Sequence, residues 1–203
     1  MTALSRLLVV LALVLPTLAA QAATRKGSTP DPSQAAVFCP GPYALCIKAA
    51  CDPATAKSKG KNETVVCSCE VQHGWSMGPA QCTDRMPVIE NGMMKIMSTY
   101  SNAFNSLENQ NMTCKGGQKQ AWANCYGAMC TVDPLDPNRA RCTCPVRHGD
   151  MVTLGGGCNK NNCSKMWSAA RPAENTFANN HYWKWMKDQG YPSNPPAKVC
   201  GAI

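Results

Sequence analysis

Two short stretches of the chain carry side chains that are able to hold a soft metal ion. Both follow the pattern Cys-x-Cys-x3-His, and two thiolates with one imidazole are suitable ligands for zinc or copper. The six candidate ligands are Cys67, Cys69, His73, Cys142, Cys144 and His148. The thioethers of Met93, Met94 and Met97 would add soft ligands for Cu(I). A metal site is therefore one interpretation of these stretches.

Disulfide bonding is the competing and stronger interpretation of the same cysteines. The chain has fourteen cysteines, and six of them recur in order as a second set. The first set is Cys39, Cys46, Cys51, Cys67, Cys69 and Cys82; the second is Cys114, Cys125, Cys130, Cys142, Cys144 and Cys158, and Cys163 and Cys200 remain. An even count at repeated spacings in an exported chain is typical of a disulfide framework. We therefore expect seven disulfides and no cofactor, with the methionines as flexible core filler.

The two cysteine sets belong to a duplicated unit. The offset between the copies is 79 residues from Cys46 to Cys125. It falls to 75 residues from Cys67 to Cys142, so a small deletion lies in the loop between the third and fourth cysteines. The two copies are expected to share one fold and one disulfide connectivity.

The two cassettes occupy residues 39–82 and 114–158. Each is only about 45 residues long, and segments this short rarely close a hydrophobic core without staples. In the loop-entropy account each bridge contributes roughly 2–4 kcal/mol, so three bridges per cassette replace the missing core. Thr64–Cys69 and Ala140–Cys144 are predicted strands. Because side chains alternate along a strand, both sulfurs of each Cys-x-Cys should lie on one face.

Residues 1–22 have the features of a secretory signal peptide. Arg6 provides the positive start, Leu7–Leu18 the apolar run, and Ala20-Gln21-Ala22 the cleavage site. The apolar run is too short to cross a bilayer. The mature protein is therefore expected to be secreted or periplasmic, with no membrane span. The polar residues 23–38 are predicted to form a disordered leader.

The charge of the chain constrains its partner. The net charge of +8 falls to +7 when the signal peptide is removed. A basic exported protein favours an extracytoplasmic protein or an anionic surface polymer as its partner. The basic residues are scattered and form no stripe, so nucleic acid is not expected.

Residues 83–113 are predicted to form a helical spacer between the cassettes. Apolar residues recur there at steps of three and four, which is typical of an amphipathic helix. They are Met86, Ile89, Met93, Ile96, Met97, Tyr100, Phe104 and Leu107. Asn91-Gly92 weakens the middle, so two short helices are an alternative. The stripe is expected to be buried and to contact Trp167 or Trp185, and the resemblance of Lys95–Ser98 to Lys165–Ser168 extends the repeat into this segment.

The tail, residues 159–203, is rich in aromatic side chains and is predicted to be helical around Glu174–Lys187. We expect it to be tied down by Cys163 and Cys200. Tyr182, Trp183 and Trp185 are candidates for stacking on a sugar or for entering a groove of a partner. Packing into a small core against the methionine-rich helix is the favoured interpretation, because the chain has few other large apolar side chains.

The cysteine spacing resembles that of tandem epidermal-growth-factor-like modules. The first cassette has the spacing C-x6-C-x4-C-x15-C-x-C-x12-C, and the second C-x10-C-x4-C-x11-C-x-C-x13-C. The resemblance covers about 90 residues and includes the single residue between the fourth and fifth cysteines. It implies the bridges Cys39–Cys51, Cys46–Cys67, Cys69–Cys82, Cys114–Cys130, Cys125–Cys142 and Cys144–Cys158. From spacing alone, six cysteines permit fifteen pairings.

These features predict a small disulfide-rich α+β fold, with two homologous stapled cassettes of short strands and one or two amphipathic helices. The sequence has none of the common nucleophile, zinc-protease or phosphate-loop motifs, and no enzyme is expected. The function expected is that of an exported, non-enzymatic binding or structural protein with an unknown macromolecular partner. A periplasmic copper- or zinc-binding protein and a secreted inhibitor or effector are the two alternatives.

Overall fold

The computed structural model describes residues 36–57, 62–101, 110–191 and 198–200, and most of them lie in β-strands. The strands are β1 (Val37–Leu45), β2 (Cys51–Lys57), β3 (Thr64–Gly78), β4 (Val88–Glu90), β5 (Met93–Thr99), β6 (Gln110–Cys114), β7 (Ala121–Ala123), β8 (Met129–Val132), β9 (Arg139–His148), β10 (Met151–Thr153) and β11 (Lys198–Val199). The described part has one α-helix, α1 (Pro172–Asp188), and 3-10 turns at Cys82–Arg85, Gly117–Lys119 and Lys160–Ser164. The predicted signal peptide lies outside the described residues. The predicted leader ends earlier than expected, because Val37 and Phe38 begin β1.

The duplication is visible in the strand pairing. In the first copy β3 pairs antiparallel with β1 and β2, and in the second copy β9 pairs with β7 and β8 in the same way. Cys51 faces Cys67 in the first copy, and Cys130 faces Cys142 in the second. The shared register confirms that the two cassettes have one fold.

The two copies are joined through their longest strands. β3 and β9 pair antiparallel over seven positions, and Cys67 lies opposite Cys142 at the centre. Because these cysteines are equivalent in the repeat, a local two-fold axis passes between them. This pairing also closes the main sheet on itself, through β1, β5 and β8. The expected picture of two separate cassettes is therefore corrected to a single ring of strands.

The two copies also exchange strands. β5 runs parallel to β1 of its own copy, where Ala44 pairs with Ser98, and antiparallel to β8 of the second copy, where Met97 pairs with Met129. The equivalent segment of the second copy makes the mirrored contacts. There Ser168 pairs in parallel with Ala123, and Trp167 pairs with Ala50. Each copy thus completes the sheet of the other.

All fourteen cysteines are paired, which confirms the seven expected bridges. The bridges are Cys39–Cys82, Cys46–Cys69, Cys51–Cys67, Cys114–Cys163, Cys125–Cys144, Cys130–Cys142 and Cys158–Cys200. In both copies the second cysteine bonds the fifth and the third bonds the fourth, so the pairing implied by the growth-factor resemblance is not formed. The bridge between the third and fourth cysteines of each copy follows from strand pairing. Cys51 and Cys67 face each other directly in the β2–β3 pair, and Cys130 and Cys142 do so in the β8–β9 pair.

The prediction that Cys158 is the sixth cysteine of the second copy is wrong. Cys114 bonds Cys163, which matches Cys39–Cys82 in the first copy, so the true counterpart of Cys82 is Cys163 and not Cys158. Cys158 bonds Cys200 and has no counterpart. The tail is therefore tied to the second copy by Cys158–Cys200, and not by a bond between Cys163 and Cys200.

The predicted helical spacer is wrong where the structure describes it. β4 and β5 form a hairpin, and Asn91 and Gly92, both with positive φ (50° and 76°), make its two-residue turn. This Asn-Gly pair is the strongest short-range signal for a hairpin. Residues 102–109, which include Phe104 and Leu107, lie outside the described part. The fold is small and disulfide-rich, as expected, but it is mostly β-sheet.

Burial along β5 increases from its exposed start at the hairpin turn to its buried end. Ile96 is fully buried, Tyr100 is buried, Met97 is half-buried, and Met93 and Met94 are exposed. The expected stripe is thus only partly buried. Trp167 pairs through its backbone with Ala50, and Tyr100 packs edge to face against Tyr182, with ring centroids 6.0 Å apart.

The predicted tail helix is confirmed as α1. Pro172 occupies its first turn, where a missing N–H costs no hydrogen bond. The Glu174 carboxylate accepts a hydrogen bond from the Arg171 backbone N–H at 3.0 Å, which completes one half of a capping box. The helix packs through Tyr182 against Met77 and Tyr100 of the first copy.

The disulfide connectivity is directly testable. Proteolysis without reductant, followed by mass spectrometry, should recover Cys114 linked to Cys163 and Cys158 linked to Cys200, and alkylation of the unreduced mature protein should add no mass. Recovery of Cys69 linked to Cys82 would contradict the structure and favour the growth-factor-like pairing.

The replacement of the helix by a strand predicts a contrast between neighbouring substitutions. Ile96→Asp removes a core side chain, at a cost of roughly 2–5 kcal/mol, and places an unpaired carboxylate in the sheet interior. The melting temperature should fall by more than about 5 °C. Met93→Asp is the matched control and should melt like wild type. Equal destabilisation by both variants would restore the helical stripe.

Candidate functional site

The cysteines of the predicted metal sites lie in a cluster of four disulfides at the centre of the ring. The cluster comprises Cys46–Cys69, Cys51–Cys67, Cys125–Cys144 and Cys130–Cys142, and all eight residues are buried. Cys46 Sγ lies 3.3 Å from Cys142 Sγ, so bridges of different copies are in direct contact. Both sulfurs of each Cys-x-Cys do face inward, as the strand alternation predicted. No cysteine in the described ranges keeps a free thiol to ligate a metal.

The histidines of the predicted metal site lie apart from this cluster. The groups of side chains close enough to share an ion in the described part contain cysteines only. His73 and His148 are exposed. His73 lies inside β3 and pairs with Pro42, so His73-Gly74 does not close a turn. The structure does not bring the Cys-x-Cys-x3-His ligands together.

The aromatic tail is mainly a packing element. The ring of Trp185 stacks on Phe38, with centroids 4.5 Å apart and planes 3° apart, and Tyr191 covers it at 5.8 Å. The Tyr182 hydroxyl donates to the Trp75 carbonyl at 3.1 Å, and only 2% of Tyr182 is exposed. Tyr182 is therefore a core residue and does not belong to a binding face. Trp183 and Trp185 are half-buried.

The largest group of exposed apolar side chains lies on the β4–β5 hairpin and the residues leading into it. We call this group the hairpin patch. It consists of Met86, Val88, Ile89, Met93 and Met94. Ile89 is 68% exposed and Met86 62% exposed, although apolar side chains of this size are normally buried. Met129 of the neighbouring strand β8 is also exposed and extends the apolar surface.

The hairpin patch is an insertion that only the first copy carries. In the first copy Lys95 is the thirteenth residue after Cys82, whereas in the second copy the equivalent Lys165 is the second residue after Cys163. β4 pairs with β5 alone, and within the described ranges no strand covers its other edge. The insertion thus adds an open sheet edge with apolar side chains. Sequence reasoning missed it because the apolar spacing was interpreted as a helix.

Three buried or half-buried polar groups lie beside the insertion. Burial raises the pKa of Tyr43 to about 12, against a smaller lowering by a hydrogen bond with Ser101. Burial also raises the pKa of Tyr126 to about 12, and the nearby positive charge of Arg85 opposes this shift. Burial lowers the pKa of Arg85 below its usual value. This side of the molecule therefore holds a desolvated cation near Tyr126 and two phenols that resist ionisation.

Comparisons with known proteins give no family for this chain, since no family model, no curated protein and no solved structure matches it.

The raised pKa of Tyr126 predicts a loss of stability in alkali. A phenol whose pKa rises from 10.0 in the unfolded chain to about 12 in the folded protein contributes stability below pH 10, and this contribution is lost as the pH rises towards 12. Rapid pH jumps with unfolding followed by fluorescence should show a smaller loss in Tyr126→Phe than in wild type. Tyr191→Phe, at an exposed ring, should behave like wild type, and an identical loss in all three proteins would contradict the predicted shift.

Proposed function

We propose that this protein is an exported, non-enzymatic binding protein whose hairpin patch binds an extended segment of a partner protein. The observation that carries the proposal is the position of the patch, on an insertion of the first copy that the second copy lacks. A framework of seven disulfides is typical of oxidising compartments and supports export. No helix in the described part is long and apolar enough to cross a bilayer.

The open edge of β4 fits an extended polypeptide. An unpaired strand edge offers backbone N–H and C=O groups that a further strand can pair with. Val88 and Ile89 point to opposite faces of the hairpin, so an added strand would meet apolar surface on both faces. Backbone pairing would supply affinity, and the exposed methionines would adapt to the side chains of the partner.

A second copy of this chain fits the edge less well. β4 has only three residues, and pairing it with another β4 would bury far less than the roughly 1,200 Å² of a specific interface. A longer segment of a different protein could continue past β4 along Met93 and Met129. A partner in the form of an enzyme would make the protein an inhibitor, which is the nearest alternative function.

The metal-binding alternative would require chemistry at the disulfide cluster. Each cysteine of the Cys-x-Cys pairs is bonded, so two bridges would have to be reduced before both Cys67 and Cys69 could ligate copper or zinc. An anionic polymer is a partner that the net charge of +8 favours, but the hairpin patch is apolar and would not carry that interaction.

The proposal is tested with charge substitutions at the patch. Tagged mature protein is compared with Ile89→Lys as bait in the extracytoplasmic fraction of the host. Wild type should retain a specific protein, and Ile89→Lys should lose it, because a lysine in the apolar contact leaves a desolvated charge. Backbone amides of Val88–Glu90 should exchange hydrogen more slowly in the isolated complex than in the free protein.

Leu135→Lys is the matched control, since Leu135 is 94% exposed on a turn of the second copy. Retention of the same partner by wild type and Leu135→Lys alone supports the patch. Equal retention by all three proteins would place the binding surface elsewhere. If wild type forms a dimer that the Ile89→Lys substitution dissociates, the partner of the patch is a second copy of this chain and not a different protein.

A further inference from the structure

The repeat allows one region of the molecule to be compared with its own duplicate. In the second copy, an apolar cluster fills the space beside the Cys114–Cys163 bridge. Its large members are Met112, Trp122, Met151 and Trp167, and Ala169 completes it. The matching strand registers place Tyr43 at the position of Trp122, Ser76 at that of Met151, and Thr99 at that of Ala169. Three polar residues thus replace three apolar ones in the first copy.

The first copy has a cavity where the second has a packed core. A cavity of about 100 Å³, partly open to solvent, lies beside the Cys39–Cys82 bridge. Its polar lining is Tyr43, Ser76, Arg85 and Thr99, and its apolar lining includes Pro40, Pro42, Met86, Pro87 and Met97. Both linings face one space, which is the arrangement of a site for a small ligand with a polar head and an apolar body.

Arg85 is a buried cation in this cavity, and it belongs to the insertion. Only 8% of its surface is exposed. Its Nη1 donates to the Val37 carbonyl at 2.8 Å, and its Nη2 donates to the Ser76 carbonyl at 3.1 Å and to the Ser76 hydroxyl. These are neutral acceptors, and no ion pair in the described ranges includes Arg85. Of its five N–H donors, the Nε–H and one Nη1–H have no acceptor there.

The surroundings of Arg85 leave room for an anion and offer that anion a further hydrogen-bond donor. Thr99 Oγ1 is buried and has no hydrogen-bond partner in the part of the chain described. Gly78 permits the close approach of Arg85, since a Cβ at this position would lie 2.9 Å from the Arg85 Cζ. The second copy has Thr153 at the equivalent position. A buried cation without a counter-charge is costly, and a bound anion would remove that cost.

We propose that this cavity binds a small organic carboxylate. The carboxylate accepts hydrogen bonds from Arg85, which suits planar oxyanions, and from the Thr99 hydroxyl. The apolar tail of the ligand lies against Pro42 and Met97. The site shares only Met86 with the hairpin patch, and its polar residues lie outside the patch, so it is tested independently of the proposed partner surface.

The test uses hexanoate and its neutral counterpart hexanamide, titrated at constant ionic strength into the mature oxidised protein and followed by NMR. Hexanoate should shift the signals of Ser76 and Thr99 with saturation, and hexanamide should shift them at least tenfold more weakly, as loss of charge-assisted hydrogen bonds implies. Arg85→Gln should reduce hexanoate affinity by tenfold or more. Arg141→Gln, an exposed arginine on β9, is the matched control and should leave it unchanged.

Thr99→Val keeps the shape of the side chain and removes its hydroxyl, so it tests the site even where Arg85→Gln fails to fold. It should weaken hexanoate binding severalfold without lowering the melting temperature. Equal binding of hexanoate and hexanamide would overturn the carboxylate assignment, as would inorganic phosphate binding as tightly as hexanoate. No saturable shift at these residues would overturn the site itself, while loss of hexanoate binding in Ile89→Lys would contradict its independence from the hairpin patch.

Discussion

The contact between disulfides of the two copies across the local two-fold axis is the constraint on which the rest of the structure depends. Cys67 and Cys142 face each other in the β3–β9 pair, and the four bridges around them supply half of the residues in the largest core cluster. The remaining members are mostly alanine and valine, with Ile96 as the largest aliphatic side chain. Sulfur thus takes the place of the leucine and phenylalanine that ordinarily fill a core, and the surrounding strands are positioned by covalent links as well as by burial.

The sequence could predict the features that depend on local spacing. Duplicated cysteines indicated the disulfides, the segments around the Cys-x-Cys pairs indicated β3 and β9, and the segment around Glu174–Lys187 indicated α1. Features that depend on distant contacts were not predictable. Nothing local distinguishes the fifteen pairings of six cysteines, and the pairing of β3 with β9 joins segments about 75 residues apart.

The error at residues 83–113 has a physical cause. The five methionines and isoleucines of the predicted stripe fit a helical period by chance, while Asn91-Gly92 carried the stronger signal for a turn. The exposed apolar residues of this segment add to the error, because a helix is predicted from amphipathic spacing on the assumption that its apolar side chains are buried. The candidate sites were missed for the same reason. Both depend on the insertion, and an insertion is recognised only when the true counterpart of Cys82 is known to be Cys163.

The exchange of strands between the copies has a consequence for the origin of the molecule. The β3–β9 interface is isologous, because Thr64 meets Pro145, the equivalent of Glu70, while Glu70 meets Arg139, the equivalent of Thr64. A single copy therefore carries both halves of this interface and would pair with an identical chain by the same hydrogen bonds. The present chain has the architecture of a homodimer whose subunits became one polypeptide. In a homodimer any insertion appears in both subunits. After fusion, an insertion could arise in one half of the chain and be absent from the other.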